Sequence, residues 1–273
     1  MKESSGSNPR AKSRLVLLGL LSGMACFISP SWAVRFLVAP PRFELTIPSG
    51  GASTQAIEVT NADEKPVKLK AYPSDWTLGS SGEMNYQKSG TQTHSCSNWL
   101  TINPMEFTIP AQGTQVVRFT LKAPLGASGG YWTVVFFESA PEPRPGERVG
   151  MLFNARVGSI VYATIVGTGT KSGKIAGLKV GKPSPEKSLM VTALFQNSGN
   201  VPLRPKGKLE VFDPQGKRLG TADIPETAVL PESSREIQTP YSGTLAKGTL
   251  RVTVTLDYGG SEILAGETTF ENK

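Results

Sequence analysis

The chain has 273 residues, of which 38% are hydrophobic and 19% charged, and its formal net charge is +7. This length allows two domains of ordinary size, and the hydrophobic content excludes disorder over most of the chain. The 29 glycines and 21 prolines favour many short strands joined by tight turns. No stretch has sustained helical periodicity, so the predicted fold class is all-β.

The N-terminal segment has the three parts of a secretory signal peptide. Three basic residues between positions 10 and 14 are followed by an apolar stretch at 15–28 and by Ser-Trp-Ala at 31–33. Small residues at the positions read by signal peptidase predict cleavage after residue 33. The alternatives are an uncleaved membrane anchor, for which the apolar run is short, and lipidation at Cys26. We therefore expect a periplasmic or extracellular protein without stable membrane insertion.

Removal of this signal peptide lowers the charge of the chain. The segment carries four basic residues and one acidic residue, so 25 of 29 basic and 21 of 22 acidic residues remain, for a net charge of +4. No run of Lys or Arg remains, which argues against a nucleic-acid partner. Cys26 belongs to the signal peptide, so Cys96 cannot form an intramolecular disulfide.

Short apolar runs closed by Pro or Gly predict the strands of antiparallel sandwiches, most clearly within residues 96–138. Seven or eight such strands precede a Gly-, Thr- and Ser-rich segment, and a second series follows it. The predicted architecture is two tandem immunoglobulin-like β-sandwiches. The predicted divisions are a signal peptide at 1–33, a first domain at 34–166, a linker at 167–174 and a second domain at 175–273.

Four motifs succeed one another in the first predicted domain. They are V-A-P-P-R-F-E-L at 38–45, E-V-T-N-A-D-E-K-P-V-K-L-K at 58–70, W-L-T-I-N-P at 99–104 and F-T-I-P-A-Q-G-T-Q-V-V-R-F at 107–119. In this order they resemble the amino-terminal domain of the PapD-like periplasmic chaperones that assist pilus assembly, over roughly residues 36–166. Asn61, Pro104, Gln115 and Arg118 occupy corresponding places. The second domain resembles a generic immunoglobulin-like module.

The resemblance implies a non-enzymatic chaperone-like or scaffold protein that binds secreted or fibre-forming subunits by β-strand addition. It also implies a cleft between the domains where an Arg and a Lys hold a subunit's terminal carboxylate. Arg42, on an early strand, and Lys171 and Lys174, near the expected cleft, are the basic residues considered. The alternative is that they are solvated surface residues, as most lysines and arginines are.

The run at 160–166 is apolar on both faces, which is typical of a strand that is covered or that pairs with a partner. Strand addition along 158–166 would complete a partner's sheet. The residues expected to bind a partner are Ile160, Tyr162, Thr164 and Val166, together with Arg42. A central strand, or one covered by the second domain, is the open alternative, since edge position cannot be told from one sequence.

Catalytic, metal and cofactor sites are not predicted. His94 and Cys96 could form a base–nucleophile pair, but the sequence places no orienting carboxylate beside them. One His and one Cys are too few for zinc, and residues 167–174 fail the spacing of a phosphate loop. A second functional hypothesis is a surface adhesion module that uses the loop at 77–97 and Trp76, which we expect to be the most exposed of the aromatic residues.

Overall fold

The computed structural model describes residues 35–143, 152–182 and 188–273. In these ranges the regular structure is β-strand, apart from one short 3-10 helix at Ser97–Trp99. The predicted all-β class is therefore confirmed. The predicted signal peptide lies outside the described residues.

Twelve strands build the first half of the described chain. They are β1 (Phe36–Ala39), β2 (Arg42–Ile47), β3 (Ala52–Asn61), β4 (Val67–Leu78), β5 (Met84–Gln87), β6 (Leu100–Asn103), β7 (Glu106–Ile109), β8 (Thr114–Lys122), β9 (Gly130–Ser139), β10 (Glu142–Pro143), β11 (Leu152–Phe153) and β12 (Arg156–Ile165). One sheet has the order β1-β3-β8-β6, and the facing sheet has the order β2-β12-β9-β4-β5 with β7 beside β4. The two-residue strands β10 and β11 pair with each other.

Two consecutive prolines make the chain change sheets near its start. Pro40 and Pro41 have no backbone N–H to donate to a ladder, so they separate β1 from β2. β1 pairs antiparallel with β3, whereas β2 pairs parallel with β12. This change of sheet brings Arg42 directly beside Ile160 of β12.

The first core lies between the two sheets. Alternate residues of β8 point inward, and Val117, Phe119 and Leu121 are fully buried. They belong to one cluster with Phe137 of β9 and Val161 of β12 from the facing sheet. The other face of β9 is also buried, which explains why the sequence of this strand is continuously apolar.

The remaining strands form a second sandwich. They are β13 (Gly173–Val180), β14 (Leu189–Asn197), β15 (Lys206–Phe212), β16 (Arg218–Ile224), β17 (Ser234–Tyr241), β18 (Gly248–Asp257) and β19 (Leu264–Asn272). Their sheets have the orders β13-β14-β17 and β16-β15-β18-β19, around a core that includes Phe195, Val211 and Val252. Two tandem immunoglobulin-like sandwiches are thus confirmed. The predicted domain boundaries at 166 and 174 stay a prediction, and β13 already begins at Gly173.

The outer face of β4, β9 and β12 packs against the second sandwich. Trp76, Trp132 and Tyr162 form a buried cluster with Leu230, which follows β16. The side chain of Trp76 is only 1% exposed, so the expectation that it is an exposed aromatic residue is wrong. The adhesion hypothesis loses its principal contact residue for this reason.

Candidate protein-binding site

Along most of its length, strand β12 has a neighbouring strand on each side. At its first residues, it has a described neighbouring strand on one side only. Residues 160–165 pair with β2 on one side, and residues 156–164 pair with β9 on the other. The expectation of a free edge at Ile160, Tyr162 and Thr164 is therefore wrong, because β2 already occupies that side. Between Arg156 and Ser159, no described strand pairs with the side of β12 that faces away from β9.

The backbone alternation of β12 identifies the groups at this open edge. The C=O of Ala155 accepts a hydrogen bond from Ser139 N at 2.9 Å, toward β9, whereas Ile160 N donates to Pro41 O at 2.9 Å, on the β2 side. Because backbone groups alternate along a strand, those of Arg156 and Gly158 point the same way as those of Ile160. We call the N–H and C=O groups of these two residues the open edge.

Aromatic side chains support the outer face beside the open edge. The guanidinium carbon of Arg156 lies 4.5 Å from the ring centroid of Phe136 and 5.4 Å from that of Tyr86. A Cβ atom at Gly158 would lie 2.6 Å from Cγ2 of Val134 and 3.0 Å from Cε1 of Phe136. These two side chains therefore cover the position where residue 158 has no side chain of its own.

The carboxylate of Glu138 faces Arg156 across the β9–β12 ladder. It accepts hydrogen bonds from the Tyr72 hydroxyl and from the Asn154 amide. Burial and the bond to Glu138 raise the pKa of Tyr72 above its ordinary value. In the described part of the chain, Arg156 has no carboxylate within ion-pair distance. It interacts with the Tyr72 phenol, where its positive charge opposes the rise in pKa.

At the other end of β12, a cleft of about 690 Å³ lies between the sandwiches. Of the residues considered from sequence, Arg42, Thr164, Val166 and Lys171 line it. Lys174 is on β13 and is not among its lining residues. Further charged lining residues, which the sequence did not single out, are Glu44, Arg204, Lys206, Glu226 and Asp257.

Arg42 is already paired with carboxylates. Its Nε lies 3.2 Å from Glu44 Oε1, and its Nη1 lies 3.1 Å from Glu226 Oε1. Arg204 of the second sandwich donates from Nε to Glu44 at 2.9 Å, and its guanidinium carbon lies 4.5 Å from the ring centroid of Tyr162. Two ion pairs therefore cross between the sandwiches in opposite directions.

Burial and mutual interaction shift the pKa values of both members of the Arg204–Tyr162 contact. Burial raises the pKa of Tyr162, although the nearby Arg204 opposes this. For Arg204, burial lowers the pKa, but the neighbouring Tyr162 and Glu44 outweigh it, so the pKa lies above its ordinary value. Both shifts keep the pair in the state of neutral phenol and charged guanidinium at neutral pH.

His94 and Cys96, the residues considered for catalysis, are both packed against other parts of the first sandwich. His94 stacks on Trp132 at a centroid distance of 5.1 Å, and its Nδ1 lies 2.9 Å from Gly130 O. Cys96 is fully buried, and burial strongly raises the pKa of its thiol, which disfavours the reactive thiolate. In the described ranges, no group of three or more His, Cys, Asp and Glu side chains is placed to hold a metal ion. No helix there is both long enough and apolar enough to cross a membrane.

Of the two residues of the open edge, sequence reasoning included Gly158 in the stretch predicted for strand addition and missed Arg156. Both residues precede the apolar run at 160–166, in a stretch where no periodicity distinguishes them from a polar loop. The one available indication was Gly158 itself, since a glycine within a strand often marks a close approach of a neighbouring group. Arg204 and Glu226 lie outside every motif considered, and only the packing of the sandwiches brings them to the cleft.

No protein-family model and no curated protein sequence matches this chain. Among solved structures, the chain is similar to a chaperone–tip adhesin complex of CFA/I fimbriae biogenesis, at 15% identity and a TM-score of 0.47, over 86% of this chain and 99% of that one. It is similar to the class 5 fimbriae chaperone CfaA, at 14% identity and a TM-score of 0.46, over 86% and 99% of the two chains.

A third similar structure is the SafB chaperone of Salmonella enterica in complex with the SafA pilin, at 12% identity and a TM-score of 0.43, over 87% of this chain and 98% of that one. Each of these similarities extends over most of this chain and nearly all of the solved one.

Proposed function

We propose that this protein is an exported, non-enzymatic chaperone or scaffold that binds an extended segment of a secreted or fibre-forming protein by β-strand addition. The added strand would pair with the open edge, at Arg156 and Gly158. Export follows from the predicted signal peptide, and a surface-fibre subunit is the kind of partner that the sequence resemblance implies.

The observation that carries this proposal is the change of pairing along β12. The strand is well anchored where β2 and β9 flank it, and before Ile160 it presents N–H and C=O groups that pair with no described strand. An unpaired strand beside a rigid sheet is a template for an extended segment. Arg42, Thr164 and Val166 stay predicted partner contacts at the cleft, and Ile160 and Tyr162 also stay predicted partner contacts.

Two substitutions at Arg156 distinguish binding through its backbone N–H from binding through its side chain. Arg156→Pro removes an N–H that points away from β9, and it places a proline ring at the open edge. Arg156→Ala removes the same side chain but keeps the N–H. We expect Arg156→Pro to lower the recovery of exported partner proteins roughly tenfold, equivalent to about 1.4 kcal/mol. The measurement is affinity purification of the tagged chain from the exported fraction, with quantitative mass spectrometry.

Circular dichroism and thermal unfolding establish that both variants are folded before recovery is compared. Arg156→Ala should retain most partners, because backbone hydrogen bonds provide most of the affinity in strand addition. Full recovery with folded Arg156→Pro would contradict the proposal, as would a wild-type chain that recovers no exported protein.

A further inference from the structure

The side chains beside the open edge would make an added strand bind more or less tightly according to its sequence. In a two-stranded pair, the side chains of directly opposite residues lie on the same face, with their Cβ atoms about 4.5 to 5.5 Å apart. A strand added at the open edge would therefore place one side chain opposite Arg156 and another, two residues away, opposite Gly158. Both would lie on the outer face, with Phe136 and Tyr86.

The position opposite Arg156 favours an acidic residue. Arg156 is exposed, and its guanidinium is held by two aromatic rings rather than by a carboxylate of the described chain. Its cross-strand neighbour Glu138 is engaged by Tyr72 and Asn154. An opposite charge directly across a strand pair is stabilising, and a like charge is destabilising.

The position opposite Gly158 favours a large apolar residue. No side chain projects from Gly158, and the ring edge of Phe136 comes so close that even a Cβ atom there would be crowded. Ile160, two residues along the same face, is half-buried and packs against the aromatic cluster. Phe136 and Val134 are themselves buried, so the apolar surface open to an added side chain is that of Ile160, which a large apolar residue could cover and a small one could not.

We infer that Arg156 and Gly158 select partner segments in which an acidic residue and a large apolar residue are separated by one position. The inference rests on the proposed function, because it needs strand addition at the open edge. The partner is an extended segment with the pattern acidic–any–apolar, or with the reverse order, according to the direction in which the strand is added.

Synthetic peptides test this selectivity directly. The probes are fluorescein-labelled 11-residue peptides of alternating Thr and Val that carry Glu-x-Phe, Lys-x-Phe or Glu-x-Ala at the centre, each in both orders. Binding to the full chain is measured by fluorescence anisotropy. We expect the Glu-x-Phe peptide, in one of the two orders, to bind about fivefold more tightly than either of the others in that order.

Three variants decide which residue produces the preference. Arg156→Glu should reverse the preference between Glu and Lys, and Arg156→Gln should abolish it. The matched control is Arg118→Glu, an equal charge change at an exposed position of β8, on the other sheet, which should leave the preference unchanged.

The possible outcomes separate this inference from the proposed function. Peptides that bind equally well whatever their central residues, or a preference that survives in folded Arg156→Glu, would overturn the selectivity and leave strand addition standing. Absence of binding by every peptide would overturn both. Concentration-dependent dimerisation that Arg156→Pro removes would mean that a second copy occupies the open edge, which would also overturn the inference.

Discussion

At the scale of single residues, Asp75 stabilises the loop between β5 and the 3-10 helix. Its buried carboxylate accepts hydrogen bonds from Thr91 N at 2.8 Å, Gln92 N at 2.9 Å and the Ser95 hydroxyl at 2.5 Å. Burial raises its pKa, but these bonds outweigh burial, so the pKa lies below its ordinary value of 3.8. We expect Asp75→Ala to lower the free energy of unfolding at pH 7 by about 2 to 3 kcal/mol, measured by urea denaturation.

The pH dependence of this loss provides a second readout. A depressed pKa in the folded state means that the contribution is complete above the unfolded pKa and disappears as the pH falls through the folded pKa. The difference between wild type and Asp75→Ala should therefore shrink below about pH 4. Glu58→Ala, which removes an exposed carboxylate with no hydrogen bond in the described chain, should change stability by less than about 0.5 kcal/mol. A difference independent of pH would mean that the charged carboxylate is not the stabilising group.

At the scale of elements, the turn between β4 and β5 joins the edge strand β17 of the second sandwich. Glu236 N donates to Ser80 O at 2.8 Å, and Arg235 Nη1 donates to Gly79 O at 3.2 Å. Asn197 N donates to Ser233 O on the β14 side, so the N–H groups of even-numbered residues of β17 point away from β14. Glu236→Pro would therefore remove the bond between the sandwiches without breaking the ladder, and it should cost about 1 kcal/mol in urea denaturation.

A matched proline isolates this bond from other effects of the ring. Gln238 also turns its N–H away from β14, but it has no acceptor in the turn between β4 and β5. The native Pro240 occupies the next position of this kind, so the strand accepts proline on that side. Equal losses of stability in Glu236→Pro and Gln238→Pro would show that the contact with Ser80 contributes nothing.

For the molecule as a whole, the ion pairs between the sandwiches should differ in strength. Arg42 and Glu226 have side chains that are 42% and 41% exposed, whereas the Arg204 side chain is 19% exposed and also lies over Tyr162. Exposed pairs contribute about 0 to 1 kcal/mol and are screened by salt. In double-mutant cycles with alanine, we expect a larger coupling energy for Arg204–Glu44 than for Arg42–Glu226, by urea denaturation at low salt.

High salt distinguishes the two pairs further. The Arg42–Glu226 coupling should approach zero in about 1 M NaCl, where charges are screened within about 3 Å. The Arg204–Glu44 coupling should persist, because one partner is mostly shielded from solvent. A larger coupling energy for Arg42–Glu226, or an equal loss of both coupling energies in salt, would contradict the view that Arg204 contributes most to the contact between the sandwiches.

The sequence by itself determined the all-β class and the order of two tandem sandwiches, because strand length, alternation and Pro or Gly punctuation are local properties. Gly216 is one example: it adopts the positive φ of 82° that a turn after Asp213 requires. The sequence also showed that residues 160–166 are apolar on both faces, but it left open whether this strand lies at an edge of its sheet. That depended on β2, which reaches β12 only after the change of sheet at Pro40 and Pro41.

Only the tertiary structure decided which backbone groups of β12 pair with no other described strand and which charges meet in the cleft. Arg156 is far in sequence from Tyr86, and Arg42 is far from Glu226, so no local pattern could connect them. The burial of Trp76 has the same origin, because Leu230 of the second sandwich covers it. Local patterning fixes which residues form strands, whereas the neighbours of each strand, and therefore its open edge, depend on contacts between residues distant in the chain.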